Sequence, residues 1–274
     1  MHLQIICLVL TLISQLSPSP NSLLGFQHAF KNIPSPEKKD KGGEDAWYVH
    51  DYLLSVADGV GGWNLQGVDP AKYSRKLEAN VRQYFSRDEH GYRENPKSLM
   101  QIAAENNRET GSSTFIVVTI DPKEALLRTS FLGDSSYIIL RVGGSDNYES
   151  VFRSEEQQHS FNFPYQCGTN GDPISSAFEN SHAIQVNDLV IVGTDGVFDN
   201  LFDSDIIELA NQHVRGSLEG LAEAIGELAY SKSLDQTWVS PFAIGARKAG
   251  YQYVGGKSDD ITVVVGMVKE AVFE

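Results

Sequence analysis

Four apolar, strand-like runs in this chain end or begin at an aspartate that has a glycine or a second acid beside it. The four pairs are Asp58-Gly59, Gly133-Asp134, Asp195-Gly196 and Asp259-Asp260. One Asp-Gly pair after a strand is most often a tight turn, because glycine adopts the positive φ that such turns require. Strands lying side by side would bring the four carboxylates together, and such a cluster stays ionised only when hard cations neutralise it. The pattern therefore predicts a site for two or more magnesium or manganese ions.

The chemistry best suited to such a site is the hydrolysis of phosphate monoesters. Two divalent ions about 3.5 to 4 Å apart activate a water molecule and stabilise the charge that develops on phosphoryl oxygens. Phosphate monoesters need this most, because catalysed rates exceed the uncatalysed ones by up to roughly 10²¹-fold. A carboxylate that touches both ions is the central part of the site, and Asp58 is predicted to be that bridge. The backbone carbonyl of Gly59 is a predicted further ligand.

Composition limits the class of protein. With 274 residues and 41% hydrophobic content, the chain can bury a substantial core and is predicted to form one catalytic domain. A net charge of −14 argues against a nucleic-acid partner, which needs a basic face. The two cysteines, Cys7 and Cys167, support neither a disulfide framework nor a zinc site.

The amino-terminal part has a different composition from the rest. We expect residues 1–42 to form a leader and a flexible segment, and residues 43–269 to form the catalytic domain. Residues 3–16 are apolar but too few to span a bilayer comfortably, and no lysine or arginine precedes them. A secretory signal and an organellar leader both remain open. No membrane span is expected after the leader.

The elements expected after residue 43 favour an α+β fold rather than a doubly wound sheet. We predict a hairpin at 46–50 and 52–57, helices at 70–85 and 96–108, an antiparallel meander at 113–120, 125–132 and 137–142, a loop-rich stretch at 155–181, a strand pair within 183–192, helices at 204–213 and 218–231, and a last strand at 261–268. Hairpin-linked strands and paired helices are typical of antiparallel sheets packed together with helices outside. No G-x-G-x-x-G or Walker loop follows a strand, so nucleotide binding has no support.

The order of these motifs resembles that of the metal-dependent type-2C (PPM-type) serine/threonine protein phosphatases. The motifs are Glu44-Asp45, Asp58-Gly59-Val60-Gly61-Gly62, Gly133-Asp134-Ser135, Thr194-Asp195-Gly196-Val197-Phe198-Asp199 and Asp259-Asp260-Ile261-Thr262-Val263. As a set they are specific, and the resemblance covers residues 43–268. It implies a four-layer α+β sandwich, in which two antiparallel sheets pack face to face and are flanked by helix pairs. It also implies phosphoprotein substrates carrying phosphoserine or phosphothreonine.

The resemblance further implies a role for each acid. The implied metal ligands are Glu44, Asp58, Gly59, Asp134, Asp195 and Asp259, for two Mg²⁺ or Mn²⁺ ions. Asp58 would bridge both ions, while Asp195 and Asp259, the other two catalytic acids, would complete the shell of one. Glu44 would act on the second ion through water. Asp134 would help to hold a weaker third ion.

Other segments are similar to the branch of this family found in mitochondria and chloroplasts. They are Gly61-Gly62-Trp63, Val68-Asp69-Pro70, Glu156-Gln157-Gln158-His159 and Ser240-Pro241-Phe242-Ala243. This likeness implies a mitochondrial location, with phosphoproteins of the organelle as substrates. The alternative is the secretory route, if the apolar leader is a signal peptide.

Two departures from the family pattern concern catalysis. Many members have a proton-donating histidine at the position of Val60, and valine cannot donate a proton. An apolar residue at this position is shared with the organellar branch, so Val60 alone does not indicate inactivity. The arginine that binds substrate phosphate upstream of Glu44 in many members is absent. Lys41 is the candidate to replace it as a point charge, and the alternative is that Lys41 belongs to a solvated charged linker.

These departures motivate an alternative, namely a catalytically weak or dead relative that acts as a binding or regulatory module. A calcium-binding module is a third possibility, but the chain lacks the regular Asp-x-Asp-x-Asp-Gly loop. Among the remaining polar residues, we expect Asp260 to support Asp259 or the turn, and Asp199 to cap a helix or to lie behind the ligands. His159 is expected to be a packing residue and Cys167 an inert thiol.

Overall fold

The computed structural model describes residues 23–213 and 216–271, which form two five-stranded antiparallel sheets packed face to face with helices on both outer faces. The strands are β1 (Leu23–Ile33), β2 (Asp45–His50), β3 (Leu53–Asp58), β4 (Ser112–Ser113), β5 (Phe115–Asp121), β6 (Leu126–Leu132), β7 (Ser136–Val142), β8 (Tyr148–Arg153), β9 (Gln158–Ser160), β10 (Phe163–Pro164), β11 (Cys167–Gly168), β12 (Phe178–Ala183), β13 (Leu189–Gly193) and β14 (Ile261–Ala271). The helices are α1 (Pro70–Phe85), α2 (Glu89–Glu94), α3 (Pro96–Glu105), α4 (Asp195–Phe198), α5 (Asp203–His213), α6 (Leu218–Ser233) and α7 (Pro241–Lys248). Short 3₁₀ turns lie at Lys39–Lys41, Gly61–Gln66 and Ile174–Ser176.

The order of the strands brings distant parts of the chain side by side. One sheet has the order β1-β14-β13-β7-β8, and the other has the order β12-β6-β5-β3-β2. Two small ribbons, β9 with β10 and β4 with β11, lie outside these sheets. Neighbouring strands pair antiparallel throughout.

Three apolar layers hold the sandwich together, and β14 shows how the sequence encodes two of them. Val263 and Val265 pack in the cluster that includes residues of α5 and α6, whereas Val264 and Val268 pack against the opposite sheet. Successive side chains of a strand point to opposite faces, so a strand buried on both faces reads as a continuous apolar run. The third layer joins the second sheet to α1 and α3.

Helix α1 shows how local signals place an element beside the future site. The carboxylate of Asp69 accepts a hydrogen bond from the backbone N–H of Ala71 at 3.2 Å, and Pro70 occupies the first turn. Leu77, Val81 and Phe85 recur every four residues and are buried on the second sheet. The predicted bounds of this helix and the predicted α+β sandwich are confirmed.

One expectation about the elements was wrong, and some short elements were not predicted. The strands within 183–192 do not pair with each other, because β12 joins β6 in one sheet and β13 joins β14 in the other. Helix α2 and helix α7 were not predicted, and both are short. The stretch 155–181, expected to be loop-rich, is largely loop and also contains the short strands β9, β10 and β11 and the start of β12.

The predicted domain boundary at residue 43 lies too late in the chain. Strand β1 pairs with β14 over its whole length, from Leu23 opposite Ala271 to Ile33 opposite Ile261. Leu24 and Phe26 are buried between the sheets, so this strand is an integral part of the sandwich. The proposed leader itself, residues 1–22, lies outside the described residues. Among the helices of residues 23–213 and 216–271, none is long and apolar enough to cross a bilayer.

Candidate active site

The strand ends that carry the predicted acids meet at one edge of the sandwich. Asp58 ends β3, Asp195 begins α4 directly after β13, and Asp259 lies just before β14. Asp134 lies in the turn between β6 and β7. These four side chains, together with Gly59, line one cavity of about 240 Å³. The structure thus brings together acids that are up to two hundred residues apart in the chain.

Glu44 lies beside this cavity and is held in place by Asp260. One carboxylate oxygen of Asp260 accepts a hydrogen bond from the backbone N–H of Glu44 at 2.7 Å, and the other accepts from that of Ser35 at 2.8 Å. The Oε1 atom of Glu44 accepts a hydrogen bond from Asn64 Nδ2 at 2.6 Å. The Asp260 carboxylate therefore positions the chain at Ser35 and Glu44, and not Asp259 or its turn as the sequence analysis expected.

Asp45 connects strand β2 to the ends of β13 and β14. Its Oδ2 atom accepts hydrogen bonds from the hydroxyls of Thr194 at 3.0 Å and Thr262 at 2.7 Å. Its Oδ1 atom is buried and has no hydrogen-bond donor among the described residues. Burial, with the nearby charge of Asp260, raises the pKa of Asp45 well above its usual range.

The end of β3 is fastened so that Asp58 faces the cavity. The carbonyl of Asp58 accepts hydrogen bonds from Thr114 N at 3.0 Å and Ser113 Oγ at 2.7 Å. The next residue must be glycine, because a Cβ on Gly59 would lie only 2.7 Å from the carbonyl oxygen of Glu44. Close backbone packing therefore brings the Asp58-Gly59 turn directly against Glu44.

Two ammonium groups lie among these carboxylates. Lys38 Nζ is 2.9 Å from Glu44 Oε2, 3.1 Å from Asp259 Oδ1 and 3.2 Å from Asp260 Oδ2. Lys41, which the sequence analysis placed at the substrate phosphate, has an exposed side chain that is absent from the cavity lining. Lys38 lines the cavity, whereas Lys41 does not.

The second ammonium group belongs to Lys257, which the sequence analysis missed. Lys257 Nζ contacts Asp195 Oδ2, lies 2.7 Å from Asp199 Oδ2 and is 3.5 Å from Asp259 Oδ2. Asp199, expected to cap a helix or to lie behind the ligands, follows α4 and pairs with this lysine. In the sequence, the feature that could have identified this lysine is its position two residues before Asp259.

The electrostatics of the site favour cations. Burial and the charges of Asp45 and Asp195 raise the pKa of Asp58 well above its usual range. Burial and Asp195 do the same for the pKa of Asp134. The pKa of Asp259 is lowered, because Lys257 and Lys38 together outweigh its burial. Carboxylates gathered in this way are stable as anions only beside positive charge.

The donors present fit a hard divalent cation. The cavity is lined by carboxylate oxygens, the ligand type that Mg²⁺ and Mn²⁺ prefer, and the buried Oδ1 atom of Asp195 has no hydrogen-bond donor among the described residues. As they stand, no three acidic, histidine or cysteine side chains of residues 23–213 and 216–271 enclose a common point closely enough to hold an ion. The ammonium groups of Lys38 and Lys257 lie among the carboxylates instead.

Three other residues of the sequence analysis do not contribute reactive groups. His159 Nε2 lies 3.1 Å from Asp172 and its ring stacks on Tyr165, outside the cavity lining. Trp63 Nε1 donates a hydrogen bond to Ser112 Oγ at 2.6 Å, which fastens the turn after Gly59. Val60 lines the cavity and offers it only an apolar surface.

Cys167 is expected to resist alkylation in the folded protein. Its side chain is buried beside Tyr73, and this burial raises the pKa of the thiol to about 12. Thiolate is the reactive form, so little of it exists at neutral pH. Iodoacetamide labelling followed by mass spectrometry of the Cys167 peptide should show modification only after unfolding. Rapid labelling of the native protein would contradict the burial.

The chain is similar in sequence to protein phosphatases of a plant and an animal. No family model matches the chain. It is 38% identical over 242 residues to "Probable protein phosphatase 2C 80" of Arabidopsis thaliana, which covers 86% of this chain and 57% of that protein. It is 34% identical over 253 residues to "Protein phosphatase PTC7 homolog" of Xenopus laevis, which covers 83% of this chain and 82% of that protein. The chain spans 57% and 50% of the length of the first two Arabidopsis relatives.

Solved structures show the same fold. The photosystem II phosphatase PBCP superposes with a TM-score of 0.81 at 31% identity, over 90% of this chain and all of that chain. The catalytic domain of the serine/threonine protein phosphatase PstP, solved with two manganese ions, superposes with a TM-score of 0.62 over 89% of this chain and 99% of that chain. At 16% identity the second match supports the fold alone.

Proposed function

Because the chain belongs to the type-2C (PPM-type) protein phosphatases, we propose that it is a metal-dependent phosphatase that hydrolyses phosphoserine and phosphothreonine monoesters in proteins. The observation that carries this proposal is the convergence of Asp58, Asp134, Asp195 and Asp259 on one cavity. A phosphopeptide assay with and without Mn²⁺ tests it.

We assign the metal centre to the residues that the sequence analysis named. Asp58 would bridge two ions and the carbonyl of Gly59 would bind one of them, because both belong to the turn that lines the cavity. Asp195 and Asp259 would complete one shell, and Glu44 would act through water. Two divalent cations, when bound, supply the charge that activates a water molecule and stabilises the phosphoryl oxygens. Asp134, which lines the same cavity, is the acid that the resemblance assigns to a weaker third ion.

The choice of Mg²⁺ or Mn²⁺ rests on the oxygen donors and on the fold. The structure of PstP contains two manganese ions, and that of RsbX, which shares the fold at a TM-score of 0.57, contains magnesium. Both ions bind carboxylate, carbonyl and water oxygens. Either ion therefore suits the residues around this cavity.

The chain's own residues would place the substrate opposite these acids. Asn162, in the turn between β9 and β10, and Pro164 of β10 line the same cavity as these acids. The residues that line the cavity include no histidine. Proton donation to the leaving serine oxygen must therefore come from a group other than a histidine in this lining.

The alternative function, a weak or dead relative that binds phosphoproteins, is favoured by Val60. This side chain lines the cavity but cannot donate a proton. The alternative predicts Mn²⁺ binding and phosphopeptide affinity without turnover. Single-turnover assays at high enzyme concentration distinguish the two, because a slow enzyme releases phosphate and a binding module does not.

Lys38→Met is expected to raise KM for a phosphopeptide by about tenfold. Lys38 lines the cavity, and a hydrogen bond from a charged donor contributes about 1.5 kcal/mol or slightly more to the free energy of binding. A change of about 1.4 kcal/mol corresponds to a tenfold change in affinity. Lys39→Met is the matched control, because Lys39 is exposed and lies outside the cavity lining. Steady-state kinetics at saturating Mn²⁺ measure the effect. Equal KM values in the two variants would remove Lys38 from substrate binding.

A mitochondrial location is part of the proposal and rests on the resemblance to the organellar branch. Residues 1–22 would contain the targeting signal, with a secretory signal as the alternative. Imaging the full chain with a carboxyl-terminal fluorescent tag separates the two. Fluorescence in the endoplasmic reticulum would refute the mitochondrial assignment.

A further inference from the structure

Lys257 occupies a position in the carboxylate cluster that would suit a metal ion. Its ammonium group contacts Asp195 and lies 2.7 Å from Asp199 and 3.5 Å from Asp259. Hard divalent cations bind carboxylate oxygens, so this ammonium group pairs with the type of ligand that such an ion uses. The side chain of Lys257 is only 14% exposed, so the group is enclosed by the site rather than projecting into solvent.

The backbone of Lys257 is held firmly in this position. The side chain of Asn200, which is fully buried, accepts a hydrogen bond from Lys257 N at 2.8 Å and donates one to Lys257 O at 2.9 Å. The same amide donates to the carbonyl of Gly196 at 2.9 Å, which joins the loop to α4. The preceding residue must be glycine, because a Cβ on Gly256 would collide with the carbonyl of Lys232. Hydrogen bonds and close backbone packing therefore fix the loop that carries this ammonium group.

We propose that Lys257 is a tethered cation that takes the place of a metal ion at the corner of the site formed by Asp199 and Asp134. Asp134 lines the same cavity as Lys257, and Asp199 forms an ion pair with its ammonium group. A compact ammonium charge held against Asp199 neutralises this acid and repels a divalent ion from its oxygens. The protein then binds two ions at Asp58, Asp195 and Asp259 and no third ion beside Asp199.

Counting the bound ions tests this inference directly. Full-length protein is dialysed against Mn²⁺, and the bound metal is measured by elemental analysis and by calorimetric titration. The wild-type protein should bind two Mn²⁺ ions, and Lys257→Met, which keeps the length of the side chain but removes its charge, should bind three. Lys257→Arg retains the charge and should bind two, as should Lys72→Met, a matched control on the exposed face of α1.

Substitution of Asp199 gives a second test, both in the wild-type protein and in the Lys257→Met protein. In the wild-type protein, Asp199→Asn should leave the count at two, because Asp199 pairs with the lysine and not with an ion. In the Lys257→Met protein, the same substitution should remove the additional ion. Thermal melts in Mn²⁺ confirm that each variant is folded before its ions are counted.

The outcomes separate this inference from the proposed metal centre on which it rests. A wild-type protein that binds no Mn²⁺ refutes the centre itself. A wild-type protein that binds two ions, with an unchanged count in Lys257→Met, refutes only the role of Lys257. Loss of an ion from the wild-type background on Asp199→Asn, or loss of both ions on Lys257→Met, also overturns it.

Discussion

The Asp58→Asn variant is expected to lose at least about a thousandfold in kcat/KM for a phosphopeptide. Asp58 is the acid proposed to touch both ions. Metal ions contribute several kcal/mol to the stabilisation of transition-state charge, and a loss of about 4 kcal/mol lowers the rate about a thousandfold. The amide keeps the shape of the side chain but is a much weaker ligand. Initial rates at saturating Mn²⁺ measure the loss.

The same variant should remain folded, which makes the result interpretable. Asp58 lies among Asp45, Asp195 and Asp134, so the amide removes one of several mutually repelling charges. The melting temperature in EDTA should therefore not fall. Asp51→Asn is the matched control, because Asp51 is exposed in the turn between β2 and β3 and its substitution should leave kcat/KM unchanged. Activity of Asp58→Asn within tenfold of wild type would reject the bridging role.

Removal of divalent ions is expected to abolish phosphatase activity, and Mn²⁺ should restore it. The carboxylates around the cavity repel one another, and bound cations relieve that repulsion while supplying the catalytic charge. Ligand binding also stabilises the native state, by about 2.7 kcal/mol at a concentration one hundred times Kd. For a domain of this size that corresponds to a rise in melting temperature of about 5–10 °C.

Two measurements on one sample check this second prediction. Phosphate release is followed before EDTA, in EDTA and after Mn²⁺ is returned in excess, and a thermal melt is recorded in each state. Ca²⁺ in place of Mn²⁺ is the control for a calcium-binding module, which would show a larger thermal shift with Ca²⁺ than with Mn²⁺. Full activity in EDTA would contradict metal dependence.

The strand-end acids could be predicted from the sequence because their signals are local. Asp58 and Asp195 each follow an apolar run and precede a glycine, so both the strand and the turn are visible within a few residues. That these turns meet in space follows from strand order, which depends on pairing between distant segments. The resemblance to a family supplied that step, and the structure confirmed the fold.

Lys38 and Lys257 could not be found in the same way. Their ammonium groups reach the acids only because of the paths of the loops that carry them. Lys38 is directed by the bonds of Asp260 to Ser35 and Glu44, and Lys257 by Asn200. Each of these contacts joins residues that are distant in the chain. A charged residue in a Pro-, Lys- and Gly-rich segment reads as solvated linker, which is why Lys41 and Lys38 were not distinguished.

Strand β1 was missed for a related reason. Its buried residues Leu24 and Phe26 recur with the spacing of a strand, but they follow the apolar stretch 3–16 and were grouped with it as a leader. Their partner, β14, lies at the other end of the chain. Pairing between the two ends of a sequence leaves no local signal.

Anomalous X-ray diffraction from a crystal grown with Mn²⁺ locates each ion among the acids and therefore decides whether Asp58 bridges two of them. We expect two manganese peaks about 3.5–4 Å apart in the cavity, both in contact with the carboxylate of Asp58, with Lys257 still paired to Asp199. Manganese bound elsewhere, or a cavity without manganese in crystals of active protein, would contradict it.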